Sequence, residues 1–134
     1  MIVVDTSALI AIVLDEPGAG ACIAALEQAV EVAISAGTLT EALIVARGRG
    51  RLEAVASIID RLELEVVPLT EARARRVAEA HARWGRGRHR AALNFGDCFA
   101  YELARERDAP LLFVGADFAA TDVRQAVRSS RFQE

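Results

Sequence analysis

Lysine is absent from this chain: all 16 basic residues are arginine, set against 19 acids for a formal net charge of -3. A molecule of that sign is no passive coat for a polyanion, because its overall field weakly repels nucleic acid, so any contact with nucleic acid must be local. Cysteine is scarce, with two residues and no Cys-x-x-Cys pair, which leaves a disulfide scaffold and a structural zinc site without support. His81 and His89 are too few for a histidine-based metal centre. Long apolar runs are missing as well. No uncharged stretch approaches the roughly 18 residues of a membrane span, and the longest candidate, Met1 to Leu14, is broken by Asp5. The N-terminus has neither the basic segment nor the small-residue cleavage site of a secretion signal, so a cytoplasmic protein without a membrane partner is expected. Neither a Gly-x-Ser-x-Gly elbow nor a phosphate-cradling glycine loop occurs, which leaves acyl transfer and nucleotide hydrolysis without a motif.

What is present is 134 residues, 53% hydrophobic and 26% charged, enough for one core but not two, so residues 1–134 are read as a single domain. Met1 to Val4 is an apolar, β-branched run ending at Asp5, and Thr6-Ser7 offer caps for a helix from Ala8 to Leu14. Pro17-Gly18 precedes an alanine-rich helix from Ala19 to Val30. Val32–Ser35 reads as a strand, Gly37-Thr38 as the start of a helix to Arg47, and Leu52–Leu62 as another helix. Leu64–Val67 is a strand stopped by Pro68, and Thr70 opens a helix to Trp84. Gly85–Arg90 is a basic loop, Asn94–Arg107 a helix, Pro110–Gly115 a strand and Ala116–Asp122 a turn-rich loop, with one edge strand possible in the tail after Val123. Strands alternating with helices predict an α/β fold with a mainly parallel sheet of four to five strands sandwiched between helices.

Ligands of such sheets bind beyond the carboxyl ends of the strands. The polar residues falling there are mostly acids: Asp5 after the first strand, Glu41 in the helix after the second, Asp97 at the start of the helix from Asn94, and Asp117 after the fourth. Carboxylates converging in a cleft repel one another and call for a cation. Hard oxygen donors without histidine or cysteine point to Mg2+ or Mn2+ rather than zinc. Each acid also has a plain local explanation. Asp5 caps a helix, Glu41 closes a capping box Thr38-Leu-Thr-Glu41, Asp97 follows an Asn94 cap, and Asp117 is a turn residue. Only the metal reading accounts for all four at once.

These residues carry a resemblance. Val4-Asp5-Thr6-Ser7-Ala8, the Thr40-Glu41 pair, Gly87-Arg-His-Arg-Ala-Ala-Leu-Asn-Phe-Gly-Asp-Cys98, and Leu111-Leu-Phe-Val-Gly-Ala-Asp-Phe118 followed by Thr121-Asp122 resemble the PIN-domain ribonucleases, and among them the VapC-type toxins of toxin–antitoxin pairs. The resemblance covers essentially the whole chain. It implies a PIN-like fold and a Mg2+-dependent endoribonuclease, with Mn2+ able to substitute, whose acidic pocket is built by Asp5, Glu41, Asp97 and a later acid. By motif position that acid is Asp117, with Asp122 the alternative or a water-mediated contributor. It further implies an RNA substrate, a homodimer, and a cognate antitoxin that lays a helix into a groove, for which the apolar faces Leu9–Leu14 and Ile23–Val30 are candidates. The chain departs from the pattern at Val114, where many similar chains carry lysine, and this shifts phosphate contact onto the arginine loop.

Asp5 and Asp97 are the expected direct metal ligands, with Glu41 and Asp117 completing the site directly or through water. Ser7 is a candidate donor to a ligand carboxylate or to substrate phosphate, its other reading being a helix cap. Arg86, Arg88 and Arg90, with Arg83 and His89 beside them, are the expected RNA-backbone contacts, since arginine's planar fork matches phosphate oxygens. Trp84 reads either as a base-stacking platform or as a core anchor, and Cys98 as a buried, inert thiol. Two other functions fit the same residues: a catalytically silent PIN-fold binding module, and a housekeeping RNA-processing or DNA-directed nuclease of the same superfamily.

Overall fold

The computed structural model describes residues 1–127; the last part of the polar tail, residues 128–134, lies outside the described residues. In chain order the elements are β1 (Ile2–Val4), α1 (Thr6–Val13), α2 (Ala19–Gln28), β2 (Val32–Ser35), α3 (Ala36–Gly48), α4 (Leu52–Arg61), β3 (Glu65–Val67), α5 (Glu71–Trp84), α6 (Phe95–Glu106) and β4 (Leu111–Leu112). The four strands are all parallel in the order β3-β2-β1-β4. The fold is therefore the expected α/β sandwich. Of the edge strand expected in the tail after Val123, the described residues show one bridge, Leu111 to Gln125, and residues 128–134 lie outside them.

Alternation along β1 divides the core. Val3 faces a cluster built with α5, α6 and Phe118, while Val4 faces a second cluster built with α1, α2, α3 and α4. The sheet is thus covered on both faces, as parallel sheets require. Because β2 and β3 lie to one side of β1 and β4 to the other, the chain's crossovers diverge between β1 and β4. The crevice of such a sheet opens at that point, beyond the strands' carboxyl ends.

Several boundaries differ from expectation by one to three residues, among them the start of α1, at Thr6 rather than Ala8, and three more are informative. α3 begins at Ala36, because the Ser35 side chain accepts the Gly37 N–H and serves as its cap in place of Thr38. α2 ends at Gln28, leaving Val30 94% exposed. β4 keeps only two residues, since Val114 N–H turns away from the sheet to donate to the Ser7 hydroxyl. Most of the Leu9–Leu14 face is taken into the core or half-buried, so of the proposed docking groove the exposed apolar side chains are chiefly Ile23 and Val30. No helix among the described residues is long and apolar enough to cross a membrane.

Two contacts draw α6 against its neighbours. The buried Glu102 carboxylate accepts from Arg73 (3.3 Å) and Arg76 (3.0 Å), tying α6 to α5. On the other side α3 comes so close that Gly37 lies under the Phe99 ring, where a Cβ would collide with ring carbons. Gly37→Ala should lose about 1–3 kcal/mol by overpacking even though alanine favours helix, as read from urea unfolding. A stability equal to or above that of the parent would show that Phe99 moves aside freely and that the close approach is not a constraint.

Candidate active site

Asp5 occupies the carboxyl end of the central strand and also caps α1. Its Oδ2 accepts from the Ser7 N–H (3.0 Å) and the Ser7 hydroxyl (2.6 Å). Oδ1 is buried with no hydrogen-bond partner among the described residues. Ser7 also accepts from the Val114 N–H (3.0 Å), so one hydroxyl fixes the Asp5 carboxylate to the segment leaving β4.

Asp97 sits in the first turn of α6, held by a reciprocal capping box. The Asn94 side chain accepts the Asp97 N–H (2.8 Å), and Asp97 Oδ2 accepts the Asn94 N–H (3.0 Å). The cap explanations of Asp5 and Asp97 thus hold together with a functional one, because each cap uses only Oδ2.

Glu41 has lost its local explanation. Since Ser35 caps α3, Glu41 does not reach back to Thr38; its Oε1 instead accepts from the Thr6 hydroxyl at 2.7 Å. Its carboxylate lies directly over Gly96 in the first turn of α6, where a Cβ would overlap the carboxylate atoms. Thr6 and Gly96 therefore matter to the site, and sequence reasoning took neither as functional. The signal for Gly96 was its place: a glycine inside a helix's first turn, costly for the helix, marks a close approach. For Thr6 nothing local separated an ordinary capping hydroxyl from a partner 35 residues away.

Electrostatics joins the set. Burial, opposed by the Ser7 hydrogen bonds and reinforced by the charges of Asp97 and Glu41, pushes Asp5 from its ordinary 3.8 up to about 7. Burial, opposed by the Asn94 hydrogen bond and reinforced by Asp117 and Glu41, pushes Asp97 up to about 6, while the Arg86 guanidinium pulls it down. Asp117, exposed on the loop after β4, thus reaches Asp97 by charge. Asp122 turns elsewhere: its Oδ1 accepts from the Tyr101 hydroxyl at 2.6 Å, and Arg105 and Arg83 face its Oδ2 at 3.7 and 4.0 Å.

The arginine stretch is a closed loop rather than a free arm. Arg86 N–H donates to Leu93 C=O and Leu93 N–H to Trp84 C=O, both at 3.0 Å, and Gly87 takes a left-handed turn (φ 83°). Arg86, Arg88 and Arg90 are exposed, whereas His89 packs edge-on against Trp84. Trp84 itself is buried, with its Nε1–H donating to Tyr101 (2.9 Å) and Arg83 lying over its ring, so it is a core anchor and not a base-stacking platform. Cys98 is buried, and its thiol is pushed up to about 11 by burial, which leaves it inert.

The donor set suits a hard divalent cation by chemistry. It is all carboxylate oxygen; Asp5 Oδ1 is an orphaned buried acceptor, and burial together with neighbouring acids makes Asp5 and Asp97 resist ionisation. Among the described residues, no three acidic, histidine or cysteine side chains stand close enough together to hold one ion as they are placed.

Comparisons with known proteins cover nearly the whole chain. The family model described as the PIN domain matches residues 2–124. The chain is 43% identical to the ribonuclease VapC28 of Mycobacterium tuberculosis over 129 residues, 93% of this chain and 97% of that one. The crystal structure of VapC20 of the same organism, described as a sarcin–ricin loop cleaving toxin, superposes with a TM-score of 0.77 at 19% identity, covering 96% of this chain and 100% of that one. A toxin–antitoxin complex from Klebsiella pneumoniae gives 0.69 at 18% identity, with 96% and 97% covered.

The folded state holds the Asp5 and Asp97 protons more tightly than the unfolded chain does. Stability of the metal-free protein should therefore fall as pH rises from about 4, where both are protonated, through 6 and 7, where both must ionise. Asp97→Asn keeps an acceptor for the Asn94 N–H and removes the charge. It should raise metal-free stability at pH 8 by about 1–3 kcal/mol and by much less at pH 5, read as melting temperature. Equal melting temperatures at pH 8 would mean that Asp97 ionises without strain.

Proposed function

Since the chain belongs to the PIN-domain family, we propose that it is a metal-dependent endoribonuclease, the toxin of a toxin–antitoxin pair, and that Asp5, Glu41, Asp97 and Asp117 hold its cation, Mg2+ or in its stead Mn2+. One observation carries this reading: Asp5 and Asp97, far apart in sequence, are both buried, the charge of Asp97 bears on Asp5, that of Glu41 bears on both, and both resist ionising.

A bound divalent cation supplies charge for the scissile phosphate and acidity for the attacking water. The chain's own residues orient the donors. Ser7 holds Asp5 by Oδ2, Thr6 holds Glu41 by Oε1, and the Asn94 N–H holds Asp97 by Oδ2. Each of these carboxylates keeps its second oxygen free of hydrogen bonds to the described residues, while the held oxygen restricts its rotation. Such outer contacts sharpen metal affinity without touching the ion. The charge of Arg86 bears on Asp97 from the loop and would meet a phosphate beside the acids, and the exposed Arg88 and Arg90 would extend that positive charge along an RNA backbone.

The solved relatives described as toxin–antitoxin assemblies support a protein antitoxin as partner. A cytoplasmic homodimer belongs to the same proposal. Phe95, 73% exposed beside the acids, and Ile44, 66% exposed, are apolar side chains open to such a partner.

The deciding experiment is cleavage of a mixed transfer and ribosomal RNA pool by purified protein, with Mg2+ or Mn2+ and with chelator, beside Asp97→Asn. Cleavage should require the metal and fall more than about a hundredfold in the variant. Folded wild-type protein that cuts nothing, free of antitoxin and with metal present, would favour a silent PIN-fold binding module. In the inactive Asp97→Asn background, Arg88→Ala should weaken RNA binding alike for all sequences and reduce the slope of log affinity against log salt by about one. An unchanged slope would remove Arg88 from the RNA path.

A further inference from the structure

Two loops bring charge to bear on Asp97. One, Gly85–Leu93, carries Arg86, and the other, following β4, carries Asp117; both charges act on Asp97. Four residues along the same helix, and so one turn below on the same face, is Tyr101, 6% exposed. Its hydroxyl accepts from Trp84 Nε1–H (2.9 Å) and donates to Asp122 Oδ1 (2.6 Å). A phenolic oxygen has one proton to give, and here that proton goes to the carboxylate while a lone pair takes the indole.

Each partner governs one of the two loops. Trp84 ends α5 and launches the arginine loop. Its C=O accepts the Leu93 N–H that closes that loop, and its ring supports His89 at 4.8 Å between ring centres. Asp122 lies on the returning limb of the other loop, just after Thr121, whose N–H and hydroxyl both bond Phe118 C=O. Phe118 is buried against Phe113 and anchors the middle of that limb independently, so the Tyr101 bond sets where the limb settles rather than whether it folds.

Building on the acidic-site reading above, we propose that Tyr101 is a positioning residue, fixing the Arg86 loop through Trp84 and the Asp117 loop through Asp122 so that both charges are presented to Asp97. Asp122 is then an anchor and not the fourth acid of the cation site. A ligand carboxylate needs a free oxygen facing the other acids. Those of Asp122 face Tyr101, Arg83 and Arg105.

The test compares the wild type with Asp97→Asn, Tyr101→Phe, Asp122→Asn, Asp122→Ala and the double variant Tyr101→Phe/Asp122→Ala. One measurement is Mn2+ affinity by electron paramagnetic resonance. The other is the rate of trypsin cleavage after Arg86, Arg88 and Arg90 without metal, relative to cleavage in the Arg47–Arg51 connection. Tyr101→Phe and Asp122→Ala should each weaken Mn2+ binding about tenfold, the scale of one hydrogen bond to a charged group. Tyr101→Phe should also raise trypsin cutting selectively in the arginine loop. The double variant should be no worse than either single, because one chain of bonds is broken once. Asp122→Asn should stay near wild type, since its amide oxygen still accepts from Tyr101.

Loss of Mn2+ binding by Asp122→Asn equal to that of Asp97→Asn would make Asp122 a ligand and overturn the proposal. So would Mn2+ affinity unchanged by Tyr101→Phe. Should wild type bind no Mn2+, the acidic-site reading fails on its own account. The trypsin ratio then decides the role of Tyr101: selective loosening upholds its hold on the loop, and an unchanged ratio overturns it.

Discussion

The rest of the site depends on the burial of a carboxylate at the end of the central strand. Asp5 is 3% exposed, flanked by β2 and β4 through β1, and it caps α1. A charge in that position is costly unless it is hydrogen-bonded and balanced. Ser7 provides the hydrogen bonds, yet Asp5 remains reluctant to ionise, and the neighbouring acids make ionisation harder. Stability and the proposed chemistry are therefore opposed here: the arrangement that weakens the metal-free fold at neutral pH is one that a bound divalent cation would relieve.

Close helix approach converts this single buried acid into a set. α3 and α6 meet over two glycines, Gly37 beneath Phe99 and Gly96 beneath the Glu41 carboxylate. The missing side chains let Glu41, from the crossover after β2, reach the first turn of α6 where Asp97 projects. Once there, Glu41 is held by Thr6, the residue after Asp5. One hydrogen bond, from Thr6, ties α3 to α1 beside Asp5, and the close approach over Gly96 sets α6 against α3. This is how a small domain can hold several like charges in fixed orientation without unfolding at that corner.

Family likeness has the same physical basis. Solved structures below 20% identity keep this chain's fold over nearly its whole length, because parallel order and crossover handedness fix where the strand ends converge whatever fills the core. Much can therefore change in sequence while the arrangement of strand ends stays. In this chain the arginine loop is closed by backbone bonds to Trp84 and packed through His89 on its ring, while Arg83 lies over that ring and 4.0 Å from Asp122.

The sequence by itself determined the alternation of strands and helices, the parallel sheet, the Asn94 and Thr70 caps, and the positions of Asp5, Asp97 and Asp117 at element ends, because periodicity, caps and turn residues are local signals. Its errors were local as well: Ser35 took the cap assigned to Thr38, and β4 shrank when Val114 turned to Ser7. Tertiary structure alone decided what Glu41 does, which partner Asp122 keeps, and whether Trp84 faces solvent or core. Glu41 meets Thr6 across 35 residues, Trp84 meets Tyr101 across 17, and Tyr101 meets Asp122 across 21. Hydrogen bonds over such separations leave no period in a sequence; they exist only once crossovers and glycine-permitted packing have brought the helices together.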